Sequence, residues 1–158
     1  MLIKNLIDED FINYKKASMF IAFPYCTFKC EKDCGIHCCQ NSDLVRSRNI
    51  AISPYALAAR YMDNPLTSSI VFGGLEPFDS FDDMVILIKC LRAHAPNDDI
   101  VIYTGYNEDE VTDKVETLSK FKNIIIKYGR FIPNDEPRFD EVLGVNLASK
   151  NQYAKRIS

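Results

Sequence analysis

Residues 69–105 read SIVFGGLEPFDSFDDMVILIKCLRAHAPNDDIVIYTG, and they contain two apolar runs separated by an amphipathic pattern. The runs at 69–72 (SIVF) and 99–103 (DIVIY) have the length and composition of buried strands, and a glycine-containing turn follows each of them. Segment 80–95 between them carries apolar residues at helical spacing, namely Met84, Leu87, Ile88 and Leu91. The stretch therefore predicts a strand–helix–strand unit.

The same alternation continues on both sides of this unit. Residues 18–23 (SMFIAF) form an apolar run that ends at a proline, and residues 123–128 (NIIIKY) form another, so both predict buried strands. One helix is predicted from Pro54 to about residue 63, with Ser53 as its N-cap, and a second over residues 108–121. The last thirty or so residues are expected to be mostly irregular.

Strand–helix alternation with nearly continuous apolar strands predicts an α/β fold, in which helices cover a parallel sheet. We expect a single domain over residues 1–158. Sites in such sheets form at the carboxyl ends of the strands. The cysteine-rich segment, Gly73-Gly74, Thr104-Gly105 and Gly129 each follow a predicted strand. We therefore expect these segments to gather at one edge of the sheet and form a single active site.

The composition is that of a soluble globular protein, with 47% hydrophobic and 26% charged residues. A net charge of −3 does not indicate a nucleic-acid partner. No segment approaches the roughly 20 apolar residues that a membrane span needs, and the first residues do not resemble a secretory signal. We therefore expect a cytoplasmic protein without nucleic-acid or membrane partners, whose six cysteines stay reduced.

Five of the cysteines lie within residues 23–41, which read FPYCTFKCEKDCGIHCCQN and are expected to form a loop after the first predicted strand. Clustered thiolates are soft, charged ligands that bind zinc and iron–sulfur clusters, so the segment predicts a metal site. Structural zinc would take four ligands, and the first four cysteines together with His37 offer enough. We favour an iron–sulfur cluster over zinc, over disulfides and over unliganded thiols.

The spacing of these cysteines resembles the C-x3-C-x2-C cluster loop of radical S-adenosylmethionine (SAM) enzymes. Cys26 and Cys30, with an aromatic residue between them, match the first half of that loop, and Cys39 in C-Q-N matches its end. Eight residues separate Cys30 from Cys39, where the family has two. The enlarged spacing leaves Cys34, Cys38 and Cys39 as candidates for the third ligand, of which we favour Cys39.

Four further segments strengthen the resemblance. Residues 71–78 (VFGGLEPF) resemble the G-G-E-P turn of radical SAM enzymes, with a leucine inserted before the glutamate. Residues 101–106 (VIYTGY) resemble a Y-T-G-Y segment of the activating proteins of anaerobic ribonucleoside-triphosphate reductase. Residues 128–132 (YGRFI) and 145–152 (VNLASKNQ) resemble C-terminal segments of the same activating proteins.

The resemblance implies a small, incomplete parallel β/α barrel with helices on its outer face. It also implies that Cys26, Cys30 and Cys39 bind three irons of a 4Fe-4S cluster, whose fourth iron binds SAM. The implied SAM-binding residues are Gly73, Gly74, Glu76, Tyr103, Thr104 and Asn151. Among these, the glutamate would meet the amino group of the methionine moiety, and the glycines would let the backbone approach it.

The activity that the resemblance implies is that of a glycyl-radical activase. Such an enzyme reductively cleaves SAM to methionine and a 5′-deoxyadenosyl radical, which abstracts hydrogen from a glycine of a large reductase subunit. Its partners would be this anaerobic ribonucleotide reductase subunit and a one-electron reductant such as flavodoxin or ferredoxin. The alternatives are a radical SAM enzyme with another substrate, an electron-transfer protein with a fully ligated cluster, and a non-enzymatic zinc module for protein binding.

Overall fold

A computed structural model describes all residues from 1 to 158. The chain forms ten strands: β1 Leu2–Ile3, β2 Asn5–Asp10, β3 Ser18–Phe23, β4 Ile50–Ala51, β5 Ser69–Gly74, β6 Asp99–Tyr103, β7 Ile124–Tyr128, β8 Arg138–Asp140, β9 Val145–Leu147 and β10 Tyr153–Arg156. It also forms five α-helices: α1 Lys29–Cys34, α2 Ser42–Arg46, α3 Pro54–Met62, α4 Phe81–His94 and α5 Thr112–Leu118. Short 3-10 turns, Pro77–Ser80 and Glu108–Glu110, precede α4 and α5. None of the helices has the length and apolar character that crossing a membrane requires.

Six strands form the central sheet in the order β10-β7-β6-β5-β3-β2. The four inner strands are parallel, and their register pairs Phe23 with Gly74 and Val71 with Val101. The edge strands β2 and β10 run antiparallel to their neighbours. The predicted α/β fold with a mostly parallel sheet is therefore confirmed. The pairs β1–β4 and β8–β9 form two small antiparallel sheets of their own.

The inner strands are mostly apolar because both of their faces are buried. On one face, Ile70 and Phe72 of β5 belong to the main core, which also contains the apolar sides of α3 and α4. On the opposite face, Val71 and Val101 pack with a smaller cluster that includes Tyr14. From β3 to β7, each new parallel strand is added next to the previous one, always toward the same edge of the sheet. Right-handed connections in one direction place their helices on one face of the sheet.

The predicted helices α3 and α4 form as their sequences indicate. The Ser53 hydroxyl accepts a hydrogen bond from the Ala56 amide over 3.1 Å, so serine caps α3 and Pro54 occupies its first turn. In α4, the residues predicted at the apolar positions are all buried: Met84, Leu87, Ile88 and Leu91. These two helices supply much of the layer over the sheet.

The helix predicted over residues 108–121 is shorter than expected. Its first turn is the 3-10 turn, and Val111, with φ −131° and ψ 21°, interrupts the backbone before α5 begins. The Asn107 amide donates to Glu110 over 2.8 Å, which stabilises the tight first turn. Helix α5 then ends at Leu118, so Phe121 lies beyond it.

The cysteine-rich segment is not a loop throughout, although the sequence predicted one. The cysteine-rich segment contains the short helix α1, which buries none of its residues and so leaves no apolar pattern in the sequence. The last thirty residues are mostly irregular, as expected, but they also contain the short strands β8, β9 and β10. The N-terminus, for which no element was predicted, contains β1 and β2. Edge strands have exposed positions that accept charged residues such as Lys155 and Arg156, and these obscure the strand pattern.

Candidate metal centre

A cavity of about 360 Å³ opens where the parallel strands β3, β5, β6 and β7 end. Its lining includes these residues of the predicted site: Cys26, Cys30, Cys39, Gly73, Gly74, Glu76, Tyr103 and Thr104. Gly105 and Gly129 also line it. Its volume lies in the range of roughly 300–1,000 Å³ that is typical of small-molecule sites. The predicted convergence of the strand ends on one site is therefore confirmed.

Three thiols line this cavity, and all of them follow β3. Burial raises the pKa of the Cys26 thiol to about 12, with smaller contributions from the Glu76 and Asp79 carboxylates. Burial also raises the pKa of Cys39. Cys26 and Cys39 therefore keep their protons in the metal-free chain at neutral pH. Bound iron would take the place of these protons, because its positive charge stabilises the thiolates.

The remaining two cysteines of the segment do not line the cavity. Cys34 Sγ lies 2.9 Å from Cys38 Sγ, and the Cys34 side chain is exposed. No group of three or more His, Cys, Asp or Glu side chains in the structure is placed to hold one metal ion. Each cysteine ligand of a 4Fe-4S cluster binds a different iron, so the protein ligands need not converge on one point.

Charged contacts hold α1, which carries Cys30 but buries no residue. Arg130 donates from Nη1 and Nη2 to the two carboxylate oxygens of Glu110, over 2.6 Å each. Lys29 of α1 donates to the same carboxylate over 2.9 Å. Asp33 of α1 lies 2.5 Å from Arg130 Nε, as an ion pair without hydrogen-bond geometry. The Arg130 side chain is only 12% exposed, so this bidentate network is stronger than ordinary surface pairs.

Glu76 is a buried carboxylate on the cavity wall, with 5% of its surface exposed. Its Oε1 accepts hydrogen bonds from the Phe78 amide over 3.0 Å and the Thr104 hydroxyl over 2.8 Å. Its Oε2 accepts one from the Gly105 amide over 2.8 Å. Burial raises the pKa of Glu76 to about 7, although these hydrogen bonds oppose the rise. A carboxylate has about four acceptor positions, so one remains for a ligand.

Two glycines allow close approaches at the cavity. A Cβ on Gly74, whose φ is +82°, would lie 2.7 Å from the Ala22 Cα, so only glycine fits between β3 and β5 there. A Cβ on Gly105 would lie 3.4 Å from Cys30 Sγ and 3.6 Å from Glu76 Oε2. A methyl group at Gly105 would therefore make ordinary van der Waals contact with the thiol and the carboxylate, and glycine leaves this part of the cavity open.

Lys127 lines the cavity although no motif pointed to it. It is 7% exposed, and its Nζ donates to the Gly129 carbonyl oxygen over 3.0 Å. Burial lowers its pKa to about 8, and the charges of Glu76 and Cys30 partly oppose this change. One signal in the sequence was available, because Lys127 is a single charged residue in the apolar strand NIIIKY. A buried ammonium group with free donors can bind or balance negative charge in the cavity.

Two predicted site residues have other partners. Asn151 does not line the cavity, and its side-chain amide donates to the Arg130 carbonyl oxygen over 3.0 Å. Its neighbour Gln152 lines the cavity instead. Tyr103 lines the cavity, but its hydroxyl donates to the Asn13 carbonyl oxygen over 2.6 Å.

The fold and the cavity define an α/β protein with a thiol-lined cavity at the carboxyl ends of its parallel strands. The family model of the 4Fe-4S single cluster domain matches residues 16–152, and the chain belongs to this family. It is therefore an iron–sulfur protein, as the cysteine-rich segment predicted. No curated protein and no solved structure matches the chain.

Proposed function

We propose that this protein is a radical SAM enzyme of the glycyl-radical activase type. The observation that carries the proposal is the shared cavity, where three thiols that follow β3 meet the glycine–glutamate turn that follows β5. A cluster held by the thiols would therefore lie next to a small ligand held by the glycine–glutamate turn. When bound, the cluster supplies the electron that splits SAM into methionine and a 5′-deoxyadenosyl radical.

The residues of the chain bind and orient these groups. Cys26, Cys30 and Cys39 each hold one iron and leave the fourth without a protein ligand. The acceptor position that remains on Glu76 takes the ammonium group of SAM, in a buried place where a charge-assisted hydrogen bond is strong. Lys127, which lines the same cavity, balances the negative charge of the thiolates. The strand ends supply a rigid frame for all of these groups.

The topology supports a partial β/α barrel. Strands β3, β5, β6 and β7 follow one another in the sheet, and the edge strands β2 and β10 do not pair with each other. A partner therefore has a side from which to reach the cavity. We assign this place to the glycine loop of a large anaerobic ribonucleotide reductase subunit, and the supply of electrons to a flavodoxin or ferredoxin.

The first experiment measures the cluster and its reaction with SAM. The chain is reconstituted anaerobically with iron and sulfide, reduced with dithionite and mixed with SAM. We expect methionine and 5′-deoxyadenosine in equal amounts. Cys39→Ala should lose iron and the reaction, whereas Cys34→Ala and Cys90→Ala should keep both. Iron loss from Cys34→Ala, with iron retained in Cys39→Ala, would reverse the ligand assignment, and a colourless chain with one zinc would overturn the proposal.

The second experiment tests the substrate. A candidate reductase subunit is added to the reduced protein with SAM, and electron paramagnetic resonance is recorded. We expect a glycyl radical signal that disappears when the glycine of the partner is replaced by alanine. Continued SAM cleavage with no signal from any candidate subunit would favour a radical SAM enzyme with another substrate.

A further inference from the structure

The enlarged cysteine segment divides its five thiols into two groups. Cys26, Cys30 and Cys39 line the cavity, whereas Cys34 and Cys38 lie outside it and contact each other with their sulfur atoms 2.9 Å apart. A disulfide bond measures about 2.05 Å, so the two sulfurs need to approach by less than about 1 Å to become bonded.

The local backbone brings these two sulfurs together. Helix α1 ends at Cys34, and Gly35 follows with φ +70°, its amide donating to the Glu31 carbonyl oxygen over 2.8 Å. This left-handed residue reverses the chain, as glycine does at many helix ends. The returning segment then passes beside α1, which places Cys38 next to Cys34.

The Glu31 side chain fixes the returning segment. Its Oε1 accepts a hydrogen bond from the Cys39 amide over 3.2 Å, and its Oε2 lies 3.2 Å from His37 Nδ1. One carboxylate of α1 therefore holds the residues on both sides of Cys38. The approach of Cys38 to Cys34 is thus the result of a built turn with contacts of its own.

We propose that Cys34 and Cys38 form a reversible dithiol–disulfide pair that is separate from the cluster thiols. A low-molecular-weight disulfide oxidises the pair: the exposed Cys34 attacks it as a thiolate, one thiol leaves, and Cys38 displaces the second thiol. The two cysteines lose two electrons and two protons, and the reagent disulfide gains both to become two thiols. Exposed disulfides of this kind are the readily reduced ones, so excess thiol reverses the reaction.

The geometry favours this pair over a second metal site. The His37 side chain is fully exposed, at 101% of its reference surface, and its ring contacts Glu31. Around the two sulfurs, no group of three or more His, Cys, Asp or Glu side chains is placed to hold one metal ion. The proposal does not depend on SAM chemistry, because it concerns thiols that the cavity does not contain.

The test uses the cluster-loaded chain in anaerobic glutathione buffers of increasing disulfide content. Samples are quenched in acid, free thiols are alkylated, and the disulfides are then reduced and labelled with a second reagent for peptide mass spectrometry. We expect Cys34 and Cys38 to be oxidised together in one two-electron transition, while the iron content stays constant. The cavity thiols should be recovered reduced, and Cys90 serves as the internal control.

A variant separates the pair from general thiol reactivity. In Cys34→Ser, Cys38 should form only a mixed disulfide with glutathione, with no link inside the chain. Any of the following results would overturn the proposal: no oxidation of the pair in the most oxidising buffer, a disulfide that joins Cys34 or Cys38 to a cavity cysteine, or protection of both thiols by one stoichiometric zinc ion. Iron loss in step with their oxidation would also overturn it, because the pair would then belong to the cluster.

Discussion

The Gly105 amide donates a hydrogen bond to Glu76 Oε2 over 2.8 Å, and this bond joins the turn after β6 to the turn after β5. The Thr104 hydroxyl makes a second bond between the same two turns, to Glu76 Oε1. A Cβ on Gly105 would also lie 3.4 Å from Cys30 Sγ. Gly105 therefore binds the carboxylate through its amide and lies beside the Cys30 thiol.

Glu76 should make the stability of the metal-free chain depend on pH. Burial raises its pKa from an ordinary value of 4.5 to about 7, so the folded chain binds a proton that the unfolded chain releases between these values. The contribution to the free energy of unfolding is complete below about pH 4.5 and is lost as pH rises through about 7. It amounts to roughly 3 kcal/mol over that interval. Urea unfolding from pH 4.5 to 8 measures it.

Glu76→Gln isolates this effect from the other titrating groups. We expect the variant to be about 1–3 kcal/mol less stable at low pH. The glutamine NH2 is a hydrogen-bond donor, and it would face a backbone or hydroxyl group that also donates and so leave one donor unpaired. The difference in the free energy of unfolding between the parent and the variant should shrink as pH rises. Glu116→Gln, at an exposed position of α5, is the control and should change stability by less than about 0.5 kcal/mol. A difference that does not change with pH would mean that Glu76 titrates near its ordinary pKa.

Arg130→Ala should loosen the cysteine segment. The change removes the ion pair with Asp33 of α1 and the bidentate contact with Glu110, which in turn pairs with Lys29 of α1. We expect the free energy of unfolding to fall by about 1 kcal/mol. Iron should be released to a chelator roughly five-fold faster. Arg60→Ala is the matched control, because Arg60 also makes two 2.6 Å hydrogen bonds, to Asp8, but lies outside the cavity lining. Equal iron release from both variants would contradict the clamping role.

Gly74→Ala should be more harmful than Gly35→Ala. Both glycines have positive φ, +82° and +70°, so alanine strains the backbone at each by about 1–2 kcal/mol. A Cβ at Gly74 would also lie 2.7 Å from the Ala22 Cα, whereas Gly35 has open space around it. We expect Gly74→Ala to cost at least about 1 kcal/mol more in urea unfolding. Similar losses in the two variants would mean that β5 moves away from β3 without cost.

The sequence predicts the parts of this fold whose patterns result from burial. The runs SIVF and NIIIKY are apolar because both faces of their strands are covered, and their ends locate the cavity. Strand β10 reads YAKR because its exposed positions accept charge, and α1 has no buried face at all. The sequence also does not predict which thiols line the cavity and which lie outside it. This division depends on the left-handed turn at Gly35 and on contacts of Glu31.

Lys127→Met should lower the reduction potential of the cluster while leaving it assembled. The Lys127 ammonium group lies on the cavity wall, and adding an electron to a cluster beside a cation is favourable. Removing this charge should shift the one-electron potential by about −50 mV, close to a tenfold change in the equilibrium. Redox titration followed by electron paramagnetic resonance measures the shift. Lys120→Met, at an exposed position after α5, should leave the potential unchanged. An unchanged potential in Lys127→Met would place the cluster away from this wall.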